Sequence, residues 1–220
     1  MSCVHKYLFQ KVLLPAVHLW WGFFFLLLPV QGLIAENIFY EFGPKTDKVI
    51  VFTASAGSDN QATAVTLQLQ KYAQKLSADA PDTHIIVAIT KNDVSELPVD
   101  IPVKRYEGTK ALIQTLITYP NAAVCLIAAD KSDGARIITG TSKGTTPAWF
   151  LKAVYTSLEQ KNIPVDFYTN AVVFHRLGWL PDDPALRLYN EANIPAIKIE
   201  TGADLPDFFS LVAPAVIQDM

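Results

Sequence analysis

The sequence contains little cysteine and no concentration of positive charge. Its 220 residues include two cysteines, Cys3 and Cys125, so a disulfide framework is not expected. Cys125 stands inside the apolar run AAVCLIAA and is predicted to be a buried, small hydrophobic side chain. The formal net charge is -3 with a pI near 5.8, and no basic tract occurs. The chain is therefore not expected to be a small disulfide-stapled fold or to bind nucleic acid.

Other motifs are also missing, and each absence removes a class of protein. No repeat, low-complexity tract or second domain boundary is visible, which predicts one domain. The segment at residues 140–144 (GTSKG) lacks the Gly-x-x-x-x-Gly-Lys-Ser/Thr spacing of a phosphate-binding loop, so it is interpreted as a flexible loop. No cysteine follows the N-terminal apolar run directly, so a bacterial lipoprotein is not indicated.

Residues 1–35 are predicted to be a targeting segment that precedes a single domain over residues 36–220. Residues 12–33 contain two polar side chains, His18 and Gln31, and about 20 apolar residues suffice to span a bilayer as a helix. Lysines before this run and glutamates after it predict a cytoplasmic N-terminus and an extracytoplasmic domain. A cleaved signal peptide and an uncleaved signal anchor both fit the sequence. Either form predicts a periplasmic or secreted domain, attached to the membrane if the segment is retained.

Apolar and amphipathic segments alternate along the rest of the chain. The continuous apolar runs at residues 48–54, 84–90 and 122–129 are typical of strands buried on both faces. Residues 194–200 predict a further strand, and residues 135–139 (ARIIT) are interpreted as the hairpin partner of the third run. The pattern predicts an α/β fold: a three-layer sandwich with a mostly parallel central sheet, preceded by the N-terminal apolar helix.

Short polar side chains stand where the predicted strands end. Ligands of open α/β sheets bind beyond the carboxyl ends of the strands, so these positions form the candidate cleft. Asp59, Asp93 and Asp130 could converge there on a divalent metal. Asp is also common at caps and turns, where it forms local hydrogen bonds. The candidate cleft residues are Ser55, Ser58, Asp59, Asn60, Asn92 and Asp130, with Asp93 beside them.

Over residues 48–199 the order of these features resembles the zinc aminopeptidases of the leucyl aminopeptidase and glutamate carboxypeptidase type. The same fold occurs in the peptidase-like subunit of GPI transamidase. The resemblance lies in VIVFTA before the Asp59–Asn60 pair, CLIAA ending at Asp130, and LPDDPALRLYNEA leading into NIPAI. It implies a zinc-exopeptidase-like fold with a cleft at these strand ends.

The sequence departs from that family at the metal ligands. Ser55 stands where the family has its first histidine ligand, and Asn92–Asp93 replaces the Glu–Glu pair of general base and ligand. Asp182–Asp183 lies where the last histidine is expected. Tight zinc sites favour nitrogen or sulfur donors, and the matched positions offer only oxygen. The resemblance therefore implies a pseudoenzyme, a binding or assembly module for a peptide or protein partner, with no cofactor expected.

An active hydrolase is the alternative, and its candidate catalytic residues are Asp93, His175 and Ser55. His175, in VVFHRLGW, could be a displaced metal ligand or a proton carrier in a rearranged metallopeptidase. Ser55, in TASAG, is a loose variant of the nucleophile elbow, and Asp130 and His175 follow it in the Ser-Asp-His order of α/β-hydrolases. The simpler interpretations are a packed histidine and a connecting Ser/Gly loop. His84 begins a strand at the opposite end and is expected to be structural.

Overall fold

The computed structural model describes residues 37–56, 60–79, 81–91, 93, 106–130, 134–167, 171–202 and 206–220. The predicted targeting segment lies outside these residues, and so do Ser58, Asp59 and Asn92. Asn60 begins a helix, and its side chain is not described. Within the described ranges, none of the helices combines the length and the hydropathy that a membrane span requires.

The described strands form one seven-stranded sheet and a separate two-stranded hairpin. They are β1 (Ile38–Phe42), β2 (Lys48–Ser55), β3 (Ile85–Thr90), β4 (Asn121–Ala129), β5 (Ala135–Ile138), β6 (Gly140–Thr141), β7 (Gly144–Thr145), β8 (Val165–Phe167) and β9 (Ala196–Thr201). The large sheet has the order β1-β3-β2-β4-β9-β5-β8, and β6 pairs with β7. The four strands β3, β2, β4 and β9 run parallel, whereas β1 and β5 are antiparallel to their inner neighbours.

Helices cover both faces of the sheet. They are α1 (Asn60–Ala78), α2 (Glu107–Leu116), α3 (Ala148–Gln160), α4 (Ala171–Arg176), α5 (Pro184–Glu191) and α6 (Pro206–Asp219). On one face α1, α3 and α6 pack against Ile50 and Phe52 of β2. On the other face α2 and α5 pack against Val49 and Val51. Because β2 is buried on both faces, its run of apolar side chains fills two cores at once. The predicted three-layer α/β sandwich is confirmed.

The predicted hairpin between β4 and β5 is wrong. β9 lies between these strands, parallel to β4 and antiparallel to β5. Ile197 and Ile199 of β9 are fully buried, whereas Arg136 of β5 is exposed. Both strands alternate buried apolar residues with charged ones, so their composition does not set their lateral order. The hairpin prediction assumed that neighbours in the chain pair, whereas β9 joins both strands through pairing over a long sequence separation.

Candidate functional site

The carboxyl ends of the four parallel strands β2, β3, β4 and β9 meet at one edge of the sheet. Ser55 ends β2 with an exposed side chain, and the N–H of the next residue, Ala56, donates to the carbonyl of Thr90 in β3 (2.7 Å). At the end of β4, the N–H of Asp130 donates to the carbonyl of Thr201 in β9 (3.1 Å). The structure therefore places Ser55 and Asp130 at the same edge.

On the side that α2 and α5 cover, the sheet changes from apolar to polar towards this edge. Val51 faces α2 and α5, so Thr53 and Ser55 face the same way because side chains alternate along a strand. Thr53 is in register with Leu126, and Leu126 is in register with Lys198 on β9. The polar side chains of this surface, called the polar shelf below, are Thr53, Ser55, Thr90, Arg136, Lys198 and Glu200.

Opposite charges tie the polar shelf together. Lys198 Nζ lies 2.7 Å from Asp183 Oδ2 and 2.9 Å from Glu200 Oε1. Arg136 Nη1 lies 3.6 Å from Glu200 Oε2, and its Nε lies 3.9 Å from Asp166 Oδ2. Burial alone would lower the pKa of Lys198, but the carboxylates of Asp183 and Glu200 outweigh burial and raise this pKa above its usual value. Lys198 is therefore positively charged at neutral pH.

Asp183 connects this ion-pair network to α5. Its Oδ1 accepts a hydrogen bond from the backbone N–H of Leu186 (2.8 Å), and Pro184 follows it at the start of the helix. A short acceptor at the N-cap satisfies a free amide, and proline suits the first helical position. Asp183 is therefore the N-cap of α5. Because the other carboxylate oxygen contacts Lys198, one side chain fixes both the helix and the neighbouring strand.

Two buried hydroxyls on this side have no hydrogen-bond partner among the described residues. They are Thr53 Oγ1 and Tyr189 Oη on α5, and both residues are almost completely buried. Burial raises the pKa of Tyr189 well above its usual range, and the nearby charge of Asp93 raises it further. A buried hydroxyl without a partner costs about 1–3 kcal/mol. Both hydroxyls are inaccessible to solvent, so among the described residues they are unsatisfied polar groups beneath the surface of the polar shelf.

Asp93 acts as a helix cap from outside the helix. Its Oδ1 accepts from the backbone N–H of Thr109 (3.0 Å), and its Oδ2 accepts from the Thr109 hydroxyl (2.8 Å). Tyr106, which precedes α2, has a left-handed backbone (φ 58°) and provides no side-chain cap. Asp93 thus satisfies an amide in the first turn that the helix itself leaves free. Both of its oxygens are engaged in this contact.

His84 lies far from the candidate cleft. Its Nε2 is 2.8 Å from Glu41 Oε1, and its Nδ1 is 3.3 Å from the carbonyl oxygen of Thr46. Burial acts to raise the pKa of Glu41, but His84 and Lys45 outweigh it and lower that pKa below its usual value. The whole of β3 separates His84 from the carboxyl edge, a distance of roughly 20 Å at the usual rise per residue. His84 therefore contributes to structure, at the amino end of the sheet.

His175 belongs to a second polar cluster, formed around Asp182. His175 Nδ1 lies 3.3 Å from the carbonyl oxygen of Leu180 and 3.5 Å from Asp182 Oδ1. Asp182 also accepts from the backbone N–H of Ser142 (2.8 Å) and from the Ser142 hydroxyl, and Arg187 Nη1 lies 3.7 Å away. The cluster therefore holds α4, α5 and the β6–β7 hairpin together. Its carboxylate is buried and fully supplied with hydrogen-bond donors.

The described residues do not fit the zinc centre that an aminopeptidase-like fold suggests. Within them, no three His, Cys, Asp or Glu side chains come close enough together to hold a metal ion. Both carboxylate oxygens of Asp93 accept hydrogen bonds from Thr109, and the two described histidines contact other partners. Asp59, the remaining candidate acid of the first loop, lies outside the described residues.

Sequence reasoning missed most of the charged network on the polar shelf. The alternation in β9 (AIKIET) contains the necessary pattern, because Lys198 and Glu200 occupy every second position of an otherwise buried strand. This alternation predicts one polar face. Their partner Arg136 was not identifiable, since it depends on the insertion of β9 beside β5. Whether the hydroxyls of Thr53 and Tyr189 find a partner among the described residues depends on where the helices pack, and the sequence pattern does not indicate this.

The sequence comparisons identify relatives of unknown activity. Residues 34–220 match the family model described as TP_0564_1st, a first domain. An uncharacterized protein of Treponema pallidum (strain Nichols) is 37% identical over 165 residues, which are 75% of this chain and 24% of that protein. The chain thus spans about a quarter of the length of this relative.

Solved structures of similar fold include glutaminyl cyclases and aminopeptidases. Fimbriiglobus ruber glutaminyl cyclase matches with a TM-score of 0.55 and 16% identity, over 84% of this chain and 75% of that chain. Legionella pneumophila LapA aminopeptidase matches with 0.53 and 11%, over 83% and 54%. A leucine aminopeptidase precursor from Bacteroides thetaiotaomicron VPI-5482 matches with 0.51 and 15%, over 83% and 74%. At these identities the likeness concerns the fold, and it confirms the predicted peptidase-like architecture.

Proposed function

The chain belongs to the TP_0564_1st family and has a peptidase-like fold, and from this premise we propose that it is a binding or assembly domain without hydrolytic activity. Its ligand is a peptide or a segment of a partner protein, which lies along the carboxyl edge of the sheet beside the polar shelf. We place the domain outside the cytoplasm, periplasmic or secreted, because residues 12–33 have the composition of a signal peptide or a signal anchor.

The engagement of Asp93 is the observation that carries the proposal. The resemblance to zinc aminopeptidases places the general base at Asn92, which has no carboxylate, and a zinc ligand at Asp93, which leaves Asp93 as the acidic side chain of the pair. Both Asp93 oxygens instead accept hydrogen bonds from Thr109, at 3.0 and 2.8 Å. A general base needs an oxygen within hydrogen-bond reach of the water that it activates. The contact with Thr109 favours a structural role for Asp93 over a catalytic one.

The polar shelf supports ligand binding at the same edge. It presents charges of both signs, because Lys198 and Arg136 lie beside Glu200. A peptide offers backbone donors and acceptors and charged side chains, which complement the mixed charges of this surface.

Metal content and turnover of the purified full-length chain test the absence of hydrolysis. After incubation with zinc and dialysis, we expect substoichiometric zinc and no cleavage of aminoacyl p-nitroanilides. We also expect an array of short peptides to contain binders whose affinity falls at least about tenfold with Lys198→Met, the equivalent of 1.4 kcal/mol. Lys71→Met, on the exposed surface of α1, is the matched control. Stoichiometric zinc together with turnover would overturn the proposal.

A serine hydrolase that uses Ser55 is the second candidate. Ser55 favours it by its place, because the side chain is exposed at the end of a buried strand. The triad partners give less support, since the acid that contacts His175 is Asp182, whereas the sequence order assigned this role to Asp130. A fluorophosphonate probe distinguishes the two functions. Labelling that disappears in Ser55→Ala and persists in Ser77→Ala, an exposed serine on α1, would replace the binding proposal with a hydrolase.

A further inference from the structure

Most of the large apolar side chains that are exposed in the described part of the chain lie close together. Leu67, Ile117 and Tyr155 are scattered, whereas the other four lie between residues 173 and 179. This surface, called the apolar corner below, comprises Val173 (60% exposed), Phe174 (40%), Leu177 (56%) and Trp179 (70%). Single exposed apolar residues are ordinary, but a contiguous group of this kind marks an interaction surface.

The fold imposes the exposure of Trp179. Gly178 has a left-handed backbone (φ 73°) and ends α4: its N–H donates to the carbonyl of His175 (3.0 Å). The N–H of Trp179 donates to the carbonyl of Phe174 (2.9 Å), and the two rings stack at 5.6 Å. This bond pattern and the accompanying apolar contact define a Schellman helix end. The turn therefore holds both rings in a fixed position at the surface.

The second polar cluster prevents the apolar corner from folding into the core. His175, between Phe174 and Leu177 in the chain, is buried and contacts Asp182. Asp182 in turn holds Ser142 of the β6–β7 hairpin. α4 also contacts β6 directly. The corner is therefore attached to the hairpin by both polar and direct contacts.

Two exposed cationic side chains accompany the apolar corner. Arg176 is exposed within it, and Lys143 is exposed at the tip of the neighbouring hairpin. Residues 171–180 contain no acidic side chain. Aromatic rings with a cationic rim are the composition of surfaces that enter the interface of an anionic bilayer, where Trp is enriched.

The position at which the chain enters the domain indicates a bilayer. Three residues separate the apolar run 12–33 from Asn37, and an extended residue spans at most about 3.6 Å. If the run spans a membrane, the first residue of the domain lies within roughly 15 Å of the lipid. Asn37 Nδ2 donates to the carbonyl of Gly108 in α2 (2.8 Å), on the side of the sheet that α5 also covers. Asn37, the first described residue, therefore contacts the α2/α5 layer, to which the apolar corner is also tied.

We infer that the apolar corner inserts into the interface of the anionic bilayer that holds residues 12–33. The domain then has two membrane attachments, one through the N-terminal segment and one through Phe174, Leu177 and Trp179. This second attachment rests on the predicted anchor and is independent of whether the candidate cleft binds or hydrolyses a ligand.

Fluorescence at two matched positions tests the inference in the full chain, reconstituted into vesicles of phosphatidylethanolamine and phosphatidylglycerol. Leu177→Cys and Leu67→Cys replace leucines of similar exposure, 56% and 50%, and Leu67 lies on α1 against the other face of the sheet. Cys3→Ser removes the N-terminal thiol, and Cys125 is buried with a raised thiol pKa. An environment-sensitive label is attached at each position and quenched with nitroxide-bearing lipids.

We expect several-fold stronger lipid quenching at position 177 than at position 67, and a loss of this difference when Phe174→Ser and Trp179→Ser are added. Tyr155→Ser, an exposed aromatic residue on α3, should leave the difference unchanged. Equal quenching at the two positions would overturn the inference. A label at position 177 that is shielded from water without lipid quenching would also overturn it, because the corner would then be covered by protein.

Discussion

At the residue scale, several acidic side chains of this chain have structural partners where the family resemblance places catalytic groups. Asp93 caps α2, Asp183 caps α5, and Asp182 holds the β6–β7 hairpin. Each carboxylate is acceptor-only when ionised, so the same chemistry that suits a metal also suits a free backbone amide. The spacing of Asp residues in the sequence does not distinguish these two uses.

Removal of the hydroxyl contact between Asp93 and Thr109 should lower the free energy of unfolding, even when the volume of the side chain is kept. Thr109→Val keeps the side-chain volume but removes the hydroxyl donor to Asp93 Oδ2. The expected cost is about 1–2 kcal/mol, because a partly buried carboxylate oxygen loses its partner. Urea unfolding of the purified chain measures it. Thr66→Val, whose hydroxyl is exposed on α1, should change the free energy of unfolding by less than about 0.5 kcal/mol. Equal effects would contradict the capping role.

Glu41 gives a pH dependence whose sign follows from its lowered pKa. The pKa in the folded chain lies below the usual value of 4.5, so the contribution of Glu41 to stability is present above that value and is lost as the pH falls through the folded pKa. Glu41→Gln should therefore flatten the acid limb of a plot of unfolding midpoint against pH. Glu159→Gln, on the exposed surface of α3, is the comparison, and an unchanged acid limb in the Glu41 variant would refute the assignment.

At the scale of elements, local sequence patterns predicted the strands and helices that depend on contacts between residues close in the chain. The strand predicted at residues 48–54 is confirmed as Lys48–Ser55. The position of β9 between β4 and β5 was missed, because lateral strand order depends on pairing over long sequence separations, which local patterns do not encode. α4 was not predicted as a helix, since it is only six residues long and its apolar side chains Val173 and Phe174 are exposed.

Asp183, which links α5 to β9, and Asp207 both pair with lysine but differ in burial. We therefore expect their replacement to lower the free energy of unfolding by different amounts. Asp183 caps α5 and pairs with Lys198, and both side chains are largely buried. Asp207 lies in the first turn of α6 and pairs with Lys75 and Lys161, but it is exposed. Asp183→Ala should cost about 2–4 kcal/mol, because it removes a cap and leaves Lys198 with one carboxylate fewer.

Asp207→Ala should cost much less than Asp183→Ala, since exposed ion pairs are worth little. The two variants are compared by the midpoint of denaturant unfolding at low and at high salt. Salt should weaken the wild-type contribution of Asp207 more than that of Asp183, because buried pairs are screened less. A larger loss for Asp207 than for Asp183 would show that burial does not control these interactions.

At the scale of the whole molecule, β2 and β4 contribute side chains to both cores, so the two layers of helices are expected to unfold together. Cys125 reports on this event, because its side chain is fully buried in the core under α1, α3 and α6, and burial raises the pKa of its thiol. In a Cys3→Ser chain, a thiol reagent should therefore react with Cys125 through opening of the whole domain.

Leu69 lies in the same core as Cys125, and Leu112 lies in the core on the other face of the sheet. Leu→Ala at either fully buried position should cost about 2–5 kcal/mol, which increases the labelling rate at least about tenfold when opening limits the reaction. Leu67→Ala, at a half-exposed position on α1, should leave the rate nearly unchanged. If Leu112→Ala had no effect while Leu69→Ala accelerated labelling, the two layers would open independently, and the shared strands would not make the domain one cooperative unit.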